Sequence, residues 1–272
     1  MSRMLRRFVI LFVFFSFNTL LVLGIYFAFI KAPETCVDLK QNQNEEGIDC
    51  GGICTNACIV ATVGQNIQVK EVAFVPGGEG RYDVLARVFN PNENIGATSF
   101  QYTFELRDTS GAILTTRSGT GYVLPQEIKS LMELNVDTTA IPGQVSLQIT
   151  DVVWERLSGY QEKPIVNIYQ KRSNLVNDGF GYYEAYGLLS NESPYDFRSI
   201  IVKIILRDAS GKPLALNTHR MDTVQAQESR DFKLVWPMPF PGVVSTTDVE
   251  IDADVYHSEN FIQQYFSGGG AR

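Results

Sequence analysis

One sentence of this chain is written twice. Residues 106–114 read LRDTSGAIL and residues 206–214 read LRDASGKPL, one hundred positions apart in a chain of 272. Each copy ends an alternating stretch. In TSFQYTFELR (98–107), Phe100, Tyr102, Phe104 and Leu106 share one face, while Gln101, Thr103, Glu105 and Arg107 take the other. In FRSIIVKIILR (197–207), Ile200, Val202, Ile204 and Leu206 oppose Lys203 and Arg207. A period of two with one apolar face predicts half-buried strands. Asp108 and Asp208 open each following turn, and Gly111 and Gly211 close it in a backbone conformation that other residues resist.

Other landmarks keep the same step. VFNPNE (88–93) answers LLSNES (188–193), PQEIKSLMEL (125–134) answers AQESRDFKLVW (226–236), and ITDVVW (149–154) answers DVEIDADVY (248–256). Two copies at a period near 100 predict tandem domains, because solenoids use shorter and more numerous repeats. Each copy offers six or seven strands with regular turn signals and no convincing amphipathic helix, the pattern of a small antiparallel β-sandwich. The expected domains are 66–158 and 164–264, joined by a linker at 159–163 within SGYQEK and followed by a flexible tail at 265–272.

Ahead of the repeats, Arg3, Arg6 and Arg7 in a seven-residue head (1–7) precede the apolar run 8–30, whose clearly polar side chains are Ser16 and Asn18. A bilayer needs roughly 20 such residues as a helix. A cleavable signal has an apolar core of about 7–15 residues and a small-x-small site. The run here is longer, Ile30-Lys31-Ala32 fits cleavage poorly, and Pro33-Glu34-Thr35 before Cys36 is no lipobox. The expectation is an uncleaved single-pass anchor in a plasma or inner membrane. The arginines place the N-terminus in the cytoplasm and the C-terminal region outside it.

All four cysteines, Cys36, Cys50, Cys54 and Cys58, lie in the neck 31–65. Outside the cytoplasm such a cluster reads as two disulfides with three pairings open. A zinc site is the competitor, although intervals of thirteen, three and three residues lack the usual C-x-x-C knuckles. Between the first two cysteines, Asp38, Asn42, Glu45 and Asp49 offer hard oxygen ligands, with Gly47, Gly51 and Gly52 for tight turns. They read either as a calcium loop or as solvated loop residues, and the EF-hand order is absent.

This stretch resembles a short cysteine module of bacterial extracytoplasmic proteins, C-x-D-G-x-x-N-x-x-E-x-G-x-D-C-G-G-x-C. It matches at Cys36, Asp38, Asn42, Glu45, Gly47, Asp49, Cys50, Gly51, Gly52 and Cys54; Leu39 replaces the usual glycine, and the last cysteine comes one residue late. The resemblance implies a disulfide-stapled surface module of the cell envelope. The repeats are similar to the immunoglobulin-like sandwiches of the late-embryogenesis-abundant type 2 and FxLYD-like families over 66–262. The likeness rests on strand rhythm, the V-x-N or L-x-N element at Asn90 and Asn191, and the L-R-D-x-S-G hairpin. The fold expected is all-β: two tandem immunoglobulin-like sandwiches behind a transmembrane helix and a disulfide-rich module.

A formal net charge of −7 and no basic block beyond the N-terminus argue against nucleic-acid binding. His219 and His257 are the only histidines, and no nucleophile elbow, phosphate loop or H-E-x-x-H motif occurs. Asp252 and Asp254, two apart on an expected strand, share one solvated face. In GFGYYEAY (179–186), alternation puts Phe180, Tyr182 and Tyr186 on one face and Tyr183 with Ala185 on the other. Tyr182, Tyr183 and Tyr186 therefore serve either core packing or a patch for a protein or glycan. The function expected is non-catalytic: presentation of two sandwiches to an unidentified envelope or surface protein, or a spacer. The alternative is an accessory subunit of a secretion or pilus type assembly, in which Asn18 bonds a partner helix.

Overall fold

A computed structural model describes residues 3–26, 36, 37, 41, 44, 45, 48–55 and 63–266. The chain divides into two compact units, 1–61 and 62–272. In the first, helix α1 (Arg3–Ile25) is long and apolar enough over Met4–Ile25 to cross a membrane, and none of that span is buried within the protein. It begins at Arg3 rather than at the expected Phe8, since Leu5, Arg6 and Arg7 are good helix formers. Residues 27–30 of the expected span lie outside the described residues.

The second unit is built from twelve strands: β1 (Gln68–Gly78), β2 (Arg81–Phe89), β3 (Ile95–Arg107), β4 (Ile113–Val123), β5 (Ile128–Asp137) and β6 (Gln144–Arg156), then β7 (Val166–Leu175), β8 (Tyr183–Asn191), β9 (Phe197–Arg207), β10 (Pro213–Val224), β11 (Ser229–Trp236) and β12 (Thr246–Ala253). They form four antiparallel three-stranded sheets. In the first copy the orders are β1-β2-β5 and β4-β3-β6; in the second they are β7-β8-β11 and β10-β9-β12. The topology therefore repeats as the sequence does. One core, with Phe100, Phe104 and Leu106, fills the space between the first pair of sheets; another, with Ile200, Val202 and Ile204, fills the second pair.

The duplicated hairpins fold as the duplicated sentence requires. Asp108 Oδ1 accepts from Ser110 N at 2.8 Å and Ala112 N at 2.9 Å, and Asp208 Oδ1 accepts from Ser210 N at 2.8 Å and Lys212 N at 3.0 Å. Gly111 and Gly211 sit at φ 91° and 84°, where a side chain would be strained. Asn90 and Asn191 are wholly buried and act as internal clasps. Asn90 Nδ2 donates to the carbonyls of Ile95 and Leu124 at 2.8 and 2.9 Å; Asn191 Nδ2 donates to those of Tyr195 and Gln225, both at 2.8 Å. Each asparagine ties a turn to a distant loop.

The repeats also pack on each other: the outer face of sheet β1-β2-β5 meets the outer face of sheet β10-β9-β12, where Val75, Leu85, Ile205 and Leu216 form a third core. Consecutive residues Val84, Leu85 and Ala86 are all inaccessible, so β2 is covered on both faces. Strand β9 is likewise covered: Lys203, Ile205 and Arg207, on the side expected to be solvated, are buried. The chain also ends the described region in a helix, α2 (Glu259–Phe266), which runs into the expected tail. Phe261 is inaccessible, with its ring 5.2 Å from Tyr195 and 4.8 Å from Tyr265.

Replacing Asn191 with alanine leaves the Tyr195 carbonyl without its side-chain donor, while the Gln225 carbonyl keeps Glu228 N at 3.2 Å. Urea unfolding of the 62–272 unit should show a loss of about 1–3 kcal/mol, and an unchanged midpoint would remove the clasp role.

Candidate functional site

The cysteine loop is closed by a disulfide between Cys36 and Cys54 with a Cα–Cα distance of 5.6 Å, and Cys50 is also disulfide-bonded. Cys58, Asp38 and Asn42 lie outside the described residues. Glu45 is buried with Oε1 3.2 Å from Cys54 Sγ, a packing contact, because a disulfide sulfur has no proton to donate. Cys36, Glu45 and Cys54 come close enough to suggest a metal site. With both sulfurs oxidised, one carboxylate remains, which corrects the zinc alternative at these two positions. Asp49 adopts φ 55° and Gly52 φ 58°; a Cβ on Gly52 would fall 1.6 Å from the Asn44 carbonyl oxygen. The loop thus closes on itself only through glycine.

The tyrosines divide. Tyr183 is buried, its ring 6.0 Å from Trp236 and 5.7 Å from Phe240, and Tyr182 packs on Phe240 at 5.2 Å. Tyr186 is half-buried on the other face of the second copy, beside Arg172 and Phe232, and Phe180 is exposed outside the strand. They form no single patch.

The densest chemistry lies where the repeats meet, in residues that alternation assigned to solvent. Asp252 on β12 is held by Lys129 Nζ of β5 at 2.7 Å and by Lys203 Nζ of β9 at 2.6 Å. The Tyr122 hydroxyl lies within hydrogen-bond reach of both Asp252 Oδ1 and the Ala253 carbonyl, which share its one proton, and its ring centroid lies 3.1 Å from Lys129 Nζ. Lys203 also donates to the Ser130 carbonyl at 2.6 Å, crossing from the second repeat to the first. Lys129 meets Asp252 as a close ion pair without an aligned hydrogen bond. Asp254, the expected companion of Asp252, instead faces His257 at 2.7 Å.

At the other end of the contact, Arg207 grips Glu71 with Nη1 and Nη2 at 2.8 and 3.0 Å and Asp248 with Nε at 2.7 Å. Glu250 accepts from Ser130 N at 3.0 Å and lies 3.4 Å from Arg87 Nε. Four cations (Arg87, Lys129, Lys203, Arg207) therefore meet four carboxylates (Glu71, Asp248, Glu250, Asp252). Their formal charges balance, and each is met by an opposite charge within the cluster.

Burial alone would raise the Asp252 carboxyl, but the attraction of Lys129 and Lys203 outweighs it and holds the group well below the usual carboxylate range. Burial pulls Lys129 down despite Asp252 and Glu127. Burial and the Asp252 charge push Tyr122 well up, which keeps its hydroxyl a donor. A cleft of about 310 Å³ borders the cluster, lined also by Glu127, Lys163 and Val255. Within it the charged groups face one another, the arrangement of a lock between repeats.

Asp252→Asn should cost about 3–5 kcal/mol in urea unfolding of the 62–272 unit, because two buried lysines lose their counter-charge. Converting Lys129, Lys203 and Asp252 together to Met, Met and Leu should recover most of that. The Asp252 contribution, from a depressed carboxyl, is complete above about pH 4 and disappears as pH falls through the folded value. The stability difference between wild type and Asp252→Asn should therefore shrink on acidification. Gly52→Ala should prevent loop closure and leave titratable thiols in the denatured, unreduced protein; full oxidation would show that the loop tolerates a side chain there.

No family model and no curated protein matches the chain. Among solved structures, the crystal structure of red sea bream transglutaminase aligns at 15% identity with a TM-score of 0.23, over 71% of this chain and 29% of that one. This chain thus spans less than a third of that structure's length, and a likeness at that level carries no argument.

Proposed function

We propose that the chain is a single-pass membrane protein that holds two immunoglobulin-like sandwiches outside the cytoplasm as one stiff, non-catalytic block. The block spaces or presents its free faces to a protein of the cell envelope or surface. The observation that carries this reading is α1, a 23-residue apolar helix with no face buried against the rest of the chain. Such a helix needs lipid, or another protein, around it. Arg6 and Arg7 at its start favour a cytoplasmic N-terminus. The oxidised cysteines fit a compartment outside the cytoplasm. The ionic lock supports stiffness, because relative motion of the repeats would part buried charges from their partners.

A second reading, an accessory subunit of a membrane-embedded envelope assembly, draws on Asn18, a polar side chain within the apolar span.

Topology tests the first reading. In sealed spheroplasts expressing the full chain, a membrane-impermeant maleimide should leave the protein unmodified before reduction and label its cysteines from outside afterwards. Labelling without reductant, or protection after it, would place the cysteines on the wrong side.

A further inference from the structure

We infer that α1 pairs with α1 of a second copy of this chain, in parallel, through Asn18. The inference rests on the membrane reading above. Asn18 Nδ2 donates one proton to the Phe14 carbonyl at 2.9 Å. Among the described residues the other N–H and Oδ1 have no partner. Thr19 differs: its single hydroxyl proton is already given to the Phe15 carbonyl at 2.9 Å. Within lipid, where no water can serve it, the Asn18 amide gains most from a polar group on another helix.

The surrounding pattern selects the geometry. Leu11, Phe14, Asn18, Leu21 and Ile25 follow one another at intervals of three, four, three and four, and all five are exposed. That is the a/d rhythm of a left-handed helix pair with asparagine at an a position, the placement that fixes register in parallel two-stranded coils.

The amide selects the partner. Every copy inserts in the same direction, so about a two-fold axis each seam residue meets its own twin at the same depth. A carboxamide carries both donor and acceptor and is its own complement. Nδ2–H of each copy can donate to Oδ1 of the other, and the four apolar seam residues pack on either side.

The full chain, labelled with one fluorophore at its N-terminus and reconstituted in dilute phosphatidylcholine vesicles, tests this by counting photobleaching steps in the fraction that resists alkaline extraction. Wild type should bleach mainly in two steps. Asn18→Leu should weaken the pairing constant, read from the one- and two-step fractions over a series of protein-to-lipid ratios, about five- to thirtyfold, the range expected for one interhelical amide contact, and Asn18→Gln, which keeps the amide, should retain it. Single-step bleaching of wild type in the resistant fraction would overturn the pairing and leave the anchor standing, as it would if the true partner were a different protein's helix. More than two steps, or an Asn18→Leu variant with the wild-type pairing constant, would also overturn it. Release of wild type by alkali would sink the anchor itself, and the pairing with it.

Discussion

Asp252 lies between two lysines that come from different repeats, and the form of the second unit depends on that arrangement. A carboxylate in this position is worth keeping only while both cations are present, and the cations can be buried only while the carboxylate is. The interaction is thus all or none. Around it, the small apolar contact of Val75, Leu85, Ile205 and Leu216 excludes water, and the Arg207 fork fixes the rotation of one sheet over the other. Apolar contact alone would allow sliding. Directional charges placed apart across the interface do not.

The short recurring features were legible in the sequence because their causes are local. The Asp-x-Ser-Gly turns need one carboxylate, two nearby N–H groups and a glycine, all within five residues, so the duplicated sentence predicts a duplicated hairpin. The buried faces of β3 and β9 follow from strict alternation. The Asn90 and Asn191 elements were visible as recurrences, but their role was not, since the carbonyls they bind lie as far as 34 residues away.

The outer face of β9 failed for a physical reason. Alternation separates apolar from polar residues, and Lys203 and Arg207 are polar whether they meet water or a carboxylate from a facing sheet. One signal did exist: Ile201 and Ile205 interrupt the polar row, while the matching positions of β3 carry Gln101 and Glu105. Helix α2 escaped because eight residues are too few to establish a 3.6-residue period, although Phe261 and Tyr265 stand at i and i+4 behind an acidic first turn. In the cysteine loop the glycines announced a tight turn, whereas only the folded chain brings Gly52 against Asn44.

The contact between repeats joins unlike faces, the β1-β2-β5 side of one copy and the β10-β9-β12 side of the other. Contacts of this head-to-tail kind are open in principle, since each copy could offer its remaining face to another. The free twin of the β9 face lies on β3 and β6, and by register Thr103, Glu105 and Thr150 stand there where the locked face has Lys203, Ile205 and Asp252. Arg107 is retained, but it is turned to Glu105 of its own strand at 2.6 Å. The cations and the carboxylate that would receive a further repeat have been replaced by threonines and an internally satisfied pair. A pair of repeats joined head to tail leaves two unlike faces uncovered, and on one of them threonines stand at two of the positions where the joined face carries charge.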